Sequence, residues 1–157
     1  MSEFGKHKIA IIQDALVVSG GAERVAEALL KTFPEADFFT SVYLPNSTFA
    51  SFRSKQVKTL PGSFLINTEH QFKIFLPLWI LGFYLLDLSK YDIIISSSTY
   101  AAKFLRKNRD QFHICYLHAP FRYLWKRQSY SESSLPLNGL CLRFVDFWLP
   151  LFKKIDK

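Results

Sequence analysis

The sequence predicts an α/β protein whose open, mostly parallel sheet is covered by helices on both faces. Short apolar runs alternate along the chain with segments in which apolar residues recur every three or four positions. Three of the apolar runs lead into polar or glycine-containing segments, at residues 19–21, 96–98 and 118. Parallel strands end along one edge of such a sheet, and that edge is where ligands bind. The three segments therefore predict a binding site at one sheet edge.

A βαβ unit opens the chain. Residues 8–13 (KIAIIQ) predict a short central strand. Residues 36–43, rich in aromatic and β-branched side chains, predict a second strand. Between them, six apolar residues share one helical face, and Pro34 ends that helix. These six are Ala22, Val25, Ala26, Leu29, Leu30 and Phe33.

Further elements follow in the same alternation, which predicts one Rossmann-like domain spanning residues 1–157. They are an edge strand at 56–60, a mostly helical segment at 64–88 bent near Pro77, a buried strand at 92–95, a short helix at 99–107 and a strand at 112–117. Beyond these, we expect a helical turn at 122–126, a polar loop at 129–136 and an apolar helix at 140–154 kinked at Pro150.

Composition sets broad limits on function. The chain of 157 residues carries a formal net charge of +7, which favours anionic partners. Cys115 and Cys141, both flanked by apolar residues, are expected to be reduced core thiols, because two cysteines form neither a disulfide framework nor a metal cluster. The polar start indicates no secretory signal, so we expect a cytoplasmic protein. The longest apolar run, 74–86, is too short to span a bilayer, which takes roughly 20 helical residues. It could still lie on a membrane surface.

Gly20 and Gly21 join the first strand to the first helix. Glycine lets the backbone approach a ligand closely, and a helix N-terminus presents unpaired N–H groups that suit a diphosphate. The alternative is a tight turn that needs glycine for steric reasons alone. The pattern is neither GxGxxG nor a Walker A loop, which argues against a dinucleotide or ATP site.

Two later segments carry polar groups to the same edge. Ser97 and Ser98 could offer hydroxyls to a substrate, or could cap the helix that follows. In His118-Ala-Pro-Phe-Arg122-Tyr-Leu-Trp125, the proline turns the chain directly after the histidine. His118 could hydrogen-bond a sugar or phosphate and Arg122 could pair with an anion, whereas the alternative for a lone histidine is a structural role. The other histidines form no ligand spacing with His118, so we predict no metal.

Three motifs in register resemble the family 4 glycosyltransferases of the GT-B fold, especially the mannosyltransferase-like branch. They are Asp14-Ala-Leu followed by Gly20-Gly21-Ala-Glu-Arg-Val, then Tyr91-Asp-Ile-Ile-Ile-Ser-Ser97-Ser98, and His118 to Trp125. The resemblance covers nearly the whole chain.

The resemblance implies the N-terminal, acceptor-side half of a retaining enzyme that transfers a sugar, such as mannose, from a nucleotide-diphosphate sugar to a glycan or lipid-linked acceptor. In that family Gly20 and Gly21 would lie against the donor diphosphate, and His118 would act at the reaction centre. By the same resemblance, an acceptor or sugar pocket would be formed by Asp14, Ser97, Ser98, Arg122 and Trp125. No cofactor or metal is implied. The donor-binding C-terminal domain of the family is absent from these 157 residues, so we expect the chain alone to be inactive.

Other functions remain open at this point. One is the non-catalytic half of a split transferase, completed by a partner chain that docks near residues 144–152. Another is a peripheral membrane or carbohydrate-binding module on the inner face of the cell membrane, built on residues 74–86 and nearby basic residues. Basic and aromatic residues also alternate between Arg122 and Tyr130, but the motifs at the sheet edge favour a sugar transferase over a nucleic-acid partner.

Overall fold

The structure, a computed structural model, describes residues 7–68, 71–72 and 75–118. Within these residues, five strands form one sheet in the order β3-β2-β1-β4-β5, and every neighbouring pair is parallel. The strands are β1 (Ile9–Gln13), β2 (Asp37–Thr40), β3 (Val57–Thr59), β4 (Ile93–Ser98) and β5 (Phe112–Leu117). This arrangement confirms the predicted Rossmann-like α/β fold with an open parallel sheet, and it confirms the edge position of β3.

Helices cover both faces of the sheet, as predicted. Helix α1 (Gly21–Thr32) packs on one face and helix α2 (Leu76–Leu85) on the other. The α1 face joins Ile11, Ala26, Leu30, Phe38 and Phe52 in one buried cluster. The α2 face joins Ala10, Ile12, Trp79, Phe83 and Ile94 in a second, larger cluster. Since alternate residues of a strand point to opposite faces, β1 supplies both clusters.

The described residues of the segment predicted as mostly helical, 64–88, are helical in three interrupted pieces. The 3₁₀ helix Ser63–Leu65 is followed by extended backbone at Ile66, residues 71–72 are helical, and α2 begins at Leu76. Pro77 lies in the first turn of α2, where its missing N–H removes no intrahelical bond. The proline therefore stands at the start of a helix instead of bending one.

The prediction of a helix at 99–107 is also wrong. Only a 3₁₀ helix, Ala102–Phe104, forms there. The backbone N–H groups of residues 99–102 donate to the Asp14 carboxylate, and that of Lys103 donates to the Ser98 hydroxyl. Because side chains satisfy these donors, the segment closes as a tight turn.

The predicted strand at 92–95 extends further than expected, since β4 includes all three serines. Cys115, predicted as a core thiol, is exposed, because β5 is an edge strand among the described residues. The elements predicted at 122–126, 129–136 and 140–154, together with Cys141, lie outside the described residues.

Candidate functional site at the carboxyl edge of the sheet

The strand order reverses between β1 and β4. From β1 the chain passes to β2 and β3 on one side, then returns to β4 and β5 on the other. Gln13 ends β1 opposite Ser97 of β4, so the two strands reach the same edge together. In open parallel sheets this reversal leaves a crevice beyond the strand ends, where ligands bind. The predicted site segments therefore lie at the position that the fold favours.

Asp14 ties the two sides of this reversal together. Its carboxylate is buried and accepts the N–H groups of Tyr100 at 2.7 Å, Ala101 at 2.8 Å and Ala102 at 2.6 Å. The Thr99 N–H and the Ser98 hydroxyl also donate to it. With both oxygens engaged in this way, Asp14 positions the turn after β4. Its predicted contact with an acceptor stays a prediction.

Ser97 and Ser98 have different partners because they lie on opposite faces of β4. Ser98 faces Asp14 and accepts the Lys103 N–H, which is the capping role considered from sequence. Ser97 lies on the α1 face and its hydroxyl is 2.8 Å from Nε2 of His118. The fold thus brings Ser97 and His118 together at the carboxyl edge, while Ser98 serves the turn.

His118 is half-buried directly after β5. Burial holds the pKa of its imidazole below the ordinary 6.5, against an opposing electrostatic effect of Asp14. The neutral ring has one donor and one acceptor nitrogen. The ring of Tyr116 lies 4.8 Å away, centroid to centroid, and limits the orientation of the imidazole. A neutral, oriented imidazole can accept a proton or hydrogen-bond a hydroxyl at the end of the sheet.

Gly21 has a backbone that any residue could adopt. The positive φ expected for an obligatory turn glycine is found, within the described residues, at Gly62 and at neither Gly20 nor Gly21. A Cβ built on Gly21 would meet nothing within 4 Å. The sequence-based alternative, a glycine needed for a tight turn, therefore has no steric support at Gly21. What remains is open space at the N-terminus of α1, a helix that packs against β1 and β4.

Glu23 adds a negative charge at this helix end. Its side chain is buried and accepts the Gly20 N–H at 3.1 Å, which is half of a capping box. A Cβ on Gly20 would lie 2.8 Å from the same carboxylate oxygen. An anionic ligand at this helix end would therefore meet the charge of Glu23 as well as the helix dipole.

Gln13 was missed by the sequence analysis. It is 2% exposed, and its Oε1 finds no hydrogen-bond partner among the described residues. A buried acceptor without a partner is costly, and such groups are often found at functional sites. Gln13 shares the α1 face with Ser97, its neighbour in register. The available signal was a polar residue closing an otherwise apolar central strand.

Two of the predicted site residues, Arg122 and Trp125, lie outside the described residues. Among residues 7–118 that the structure describes, no three His, Cys, Asp or Glu side chains are grouped so as to hold a metal ion. In the same part of the chain, no helix is both long and apolar enough to cross a bilayer.

A surface depression lies at the opposite, amino edge of the sheet. Its lining includes Asp37, Lys90 and Tyr91. Asp37 accepts the Tyr91 hydroxyl and is 2.8 Å from the Lys58 ammonium, which holds the pKa of the Asp37 carboxyl below its usual range. These groups satisfy one another, so this depression is a less suitable ligand site than the carboxyl edge.

In comparisons with protein-family models, curated proteins and solved structures, nothing matches the chain. The resemblance to family 4 glycosyltransferases therefore rests on the motifs of the sequence, and the fold rests on the structure.

Proposed function

We propose that this chain is the acceptor-side, Rossmann-like half of a retaining family 4 glycosyltransferase of the GT-B fold. One observation carries the proposal. The Ser97–His118 pair and the glycines that begin α1 belong to the same face of the sheet and to its carboxyl edge, at the β1–β4 reversal. This placement agrees with the roles that the sequence resemblance implies for these residues.

In the proposed reaction, a nucleotide-diphosphate sugar such as a GDP-mannose lays its diphosphate against the backbone of Gly20 and Gly21, at the N-terminus of α1. His118 hydrogen-bonds the transferred sugar, and its neutral form suits that task. The leaving phosphate assists deprotonation of the acceptor hydroxyl on the same face of the sugar. The chain's own contribution is orientation and charge stabilisation, so neither a metal nor a further cofactor is invoked.

The partners in this proposal are the nucleotide sugar, a glycan or lipid-linked acceptor, and a C-terminal domain or partner chain that completes the donor site. Nucleic acid is not among them. We place the protein in the cytoplasm, at the inner face of the cell membrane, where lipid-linked acceptors are available. Arg122 and Trp125 would complete the acceptor pocket.

Ligand-observed NMR and calorimetry with GDP- and UDP-sugars would test the donor half-site. We expect weak binding that Gly21→Ala reduces at least about tenfold, since the added methyl fills the space that the diphosphate needs. Stability is the internal control: the methyl meets nothing in the free protein, so Gly21→Ala should not lower the urea midpoint. Glu23→Gln should tighten binding, because it removes a like charge beside the ligand.

Equal binding by the wild type and Gly21→Ala, or no binding of any nucleotide sugar, would remove the proposed donor half-site and leave the fold unaffected. His118→Ala should weaken sugar-dependent binding without changing the affinity for the free nucleotide. Turnover should be negligible for the 157-residue chain alone. Measurable sugar transfer by the purified chain would contradict the proposed division of the enzyme.

A further inference from the structure

Helix α2 is apolar on its outer face as well as its inner face. Its sequence, LPLWILGFYL, contains no charged residue. The inner face buries Leu76, Trp79, Ile80 and Phe83. The outer side chains, together with the residue before the helix, are substantially exposed: Phe75 39%, Leu78 46%, Leu81 52%, Tyr84 51% and Leu85 67%. Burial in the core of the domain therefore explains the apolar side chains on the inner face of this helix but not those on its outer face.

The exposed apolar surface continues into the neighbouring 3₁₀ helix. Phe64 is 81% exposed and Leu65 is 57% exposed. The two segments are adjacent, because a Cβ on Gly62 would lie 3.9 Å from Cδ2 of Leu78. We define the outer patch by its residues: Phe64, Leu65, Phe75, Leu78, Leu81, Tyr84 and Leu85. Soluble monomers rarely expose a contiguous apolar surface of this kind unless it binds something.

Cations follow an element that packs against α2. The 3₁₀ helix Ala102–Phe104 packs against α2. The segment that follows it directly exposes Arg106, Lys107 and Arg109. Together with a chain charge of +7, these cations and the apolar patch are complementary to a bilayer, which has negatively charged headgroups above apolar acyl chains.

We propose that the outer patch inserts into the interface of an anionic lipid bilayer, with α2 lying in the membrane plane. A protein partner would be expected to meet a polar rim and several hydrogen-bonding groups. Within the patch, the Tyr84 hydroxyl is the one polar side-chain group. Apolar residues inserted at the acyl boundary and cations at the headgroups are the combination that holds interfacial helices. This inference does not depend on the proposed sugar transfer.

Sedimentation with two kinds of vesicle would test the inference on the full chain. Phosphatidylcholine vesicles containing phosphatidylglycerol should bind the protein, and pure phosphatidylcholine vesicles should bind it more weakly. The double variant Leu81→Gln, Leu85→Gln should lose at least about tenfold in partition coefficient. The double variant Arg106→Gln, Arg109→Gln should lose about fivefold on the anionic vesicles and nothing on the neutral ones.

A matched control comes from β5, where Phe112 and Ile114 are 65% and 47% exposed. Their replacement by Gln removes two similarly exposed apolar side chains outside the patch, and vesicle binding should be unchanged. Equal loss in this control would indicate general hydrophobic adsorption and overturn the proposal. Absence of binding to anionic vesicles would also overturn it.

Two further outcomes would assign the patch to another occupant. A dimer in sedimentation velocity that Leu81→Gln, Leu85→Gln dissociates would mean that a second copy covers the patch. A large fall in the urea midpoint of the same variant would mean that another part of this chain covers it. Either result would replace the membrane with a protein contact.

Discussion

The Asp14 carboxylate determines the shape of the turn after β4 through its hydrogen bonds to the backbone. It accepts four consecutive backbone N–H groups, from Thr99 to Ala102, and the Ser98 hydroxyl. Hydrogen bonds to a charged acceptor contribute more than neutral ones, and their loss leaves buried donors unsatisfied. The turn after β4, and with it the end of the strand that carries Ser97, depends on this carboxylate.

We expect Asp14→Asn to lower the free energy of unfolding by about 2–4 kcal/mol, because the amide cannot accept five donors and places an NH₂ group against N–H groups. Urea denaturation would measure this change. Asp110→Asn, at an exposed position, is the matched control and should be within about 0.5 kcal/mol of wild type. Equal stability of Asp14→Asn and wild type would show that the turn does not depend on the charge.

The role of Asp14 could not be predicted from the sequence. Its partners lie between 84 and 88 residues downstream. Most of them are backbone N–H groups, which do not depend on the side chain and therefore give no signal in the sequence. For the same reason Gln13 was missed, since its significance comes from burial without a partner. The adjacency of Ser97 and His118 could be foreseen in outline, because parallel strands place their ends together.

At the scale of elements, β4 and β5 are joined by two serine–histidine contacts on opposite faces of the sheet. Ser97 lies 2.8 Å from Nε2 of His118, and Ser96 lies 2.8 Å from Nε2 of His113. Burial lowers the pKa of both imidazoles below 6.5, and Lys107 lowers that of His113 further. The folded protein therefore favours the neutral form of both imidazoles.

This pairing predicts that acid weakens the domain. Above the unfolded-state pKa of 6.5, both histidines are neutral in both states and contribute no pH dependence. Below it, the unfolded chain binds protons that the folded chain resists, so the free energy of unfolding falls. Between about pH 7.5 and about pH 5.5, we expect a loss below about 1 kcal/mol for each histidine, because solvent screens these partly exposed imidazoles.

Urea midpoints across this range would measure the loss, and His113→Gln and His118→Gln should each reduce it. A second pair of measurements at about pH 7.5 and about pH 8.5 should agree, since neither histidine titrates there. A wild-type domain that gains stability on acidification would contradict the assignment of neutral, buried histidines.

Strands and helices were not equally predictable. The runs that became β1, β2 and β5 could be recognised because each is short and rich in apolar, β-branched or aromatic side chains. The end of β4 could not, because serines at a strand end resemble a helix cap in sequence. The helix expected at 99–107 failed for a tertiary reason, since Asp14 and Ser98 took the N–H groups that a helix would have used.

At the scale of the whole molecule, the two edges of the sheet differ. On the β3 side, the neighbouring Leu60 and Phe52 are buried. On the β5 side, Phe112 and Tyr116 are exposed on one face of the strand and Leu117 on the other. An exposed apolar edge strand is usually covered or paired in a finished assembly. The β5 edge is therefore where the described part of the domain is least complete.

The reactivity of the Cys115 thiol measures whether the β5 edge is covered. In Cys141→Ser protein, where it is the single thiol, we expect Cys115 to react with a maleimide within about tenfold of the rate of a small peptide thiol, because it is exposed. The same protein unfolded in urea gives the reference rate. Strong protection in the native protein would mean that another part of the chain, or a partner, covers β5. The same reaction can test whether an added candidate C-terminal domain covers β5.

The Asp14 bonds also have a consequence for biosynthesis. The acceptor is made before its donors, residues 98–102, which follow more than eighty positions later. Until β4 has left the ribosome, the carboxylate remains in water and the reversal between β1 and β4 does not exist. The carboxyl edge at this reversal therefore forms late and in one step, after β1, α1, β2 and β3 are already available as a partial sheet. A nascent chain stalled before residue 98 would display helices and strands but no site.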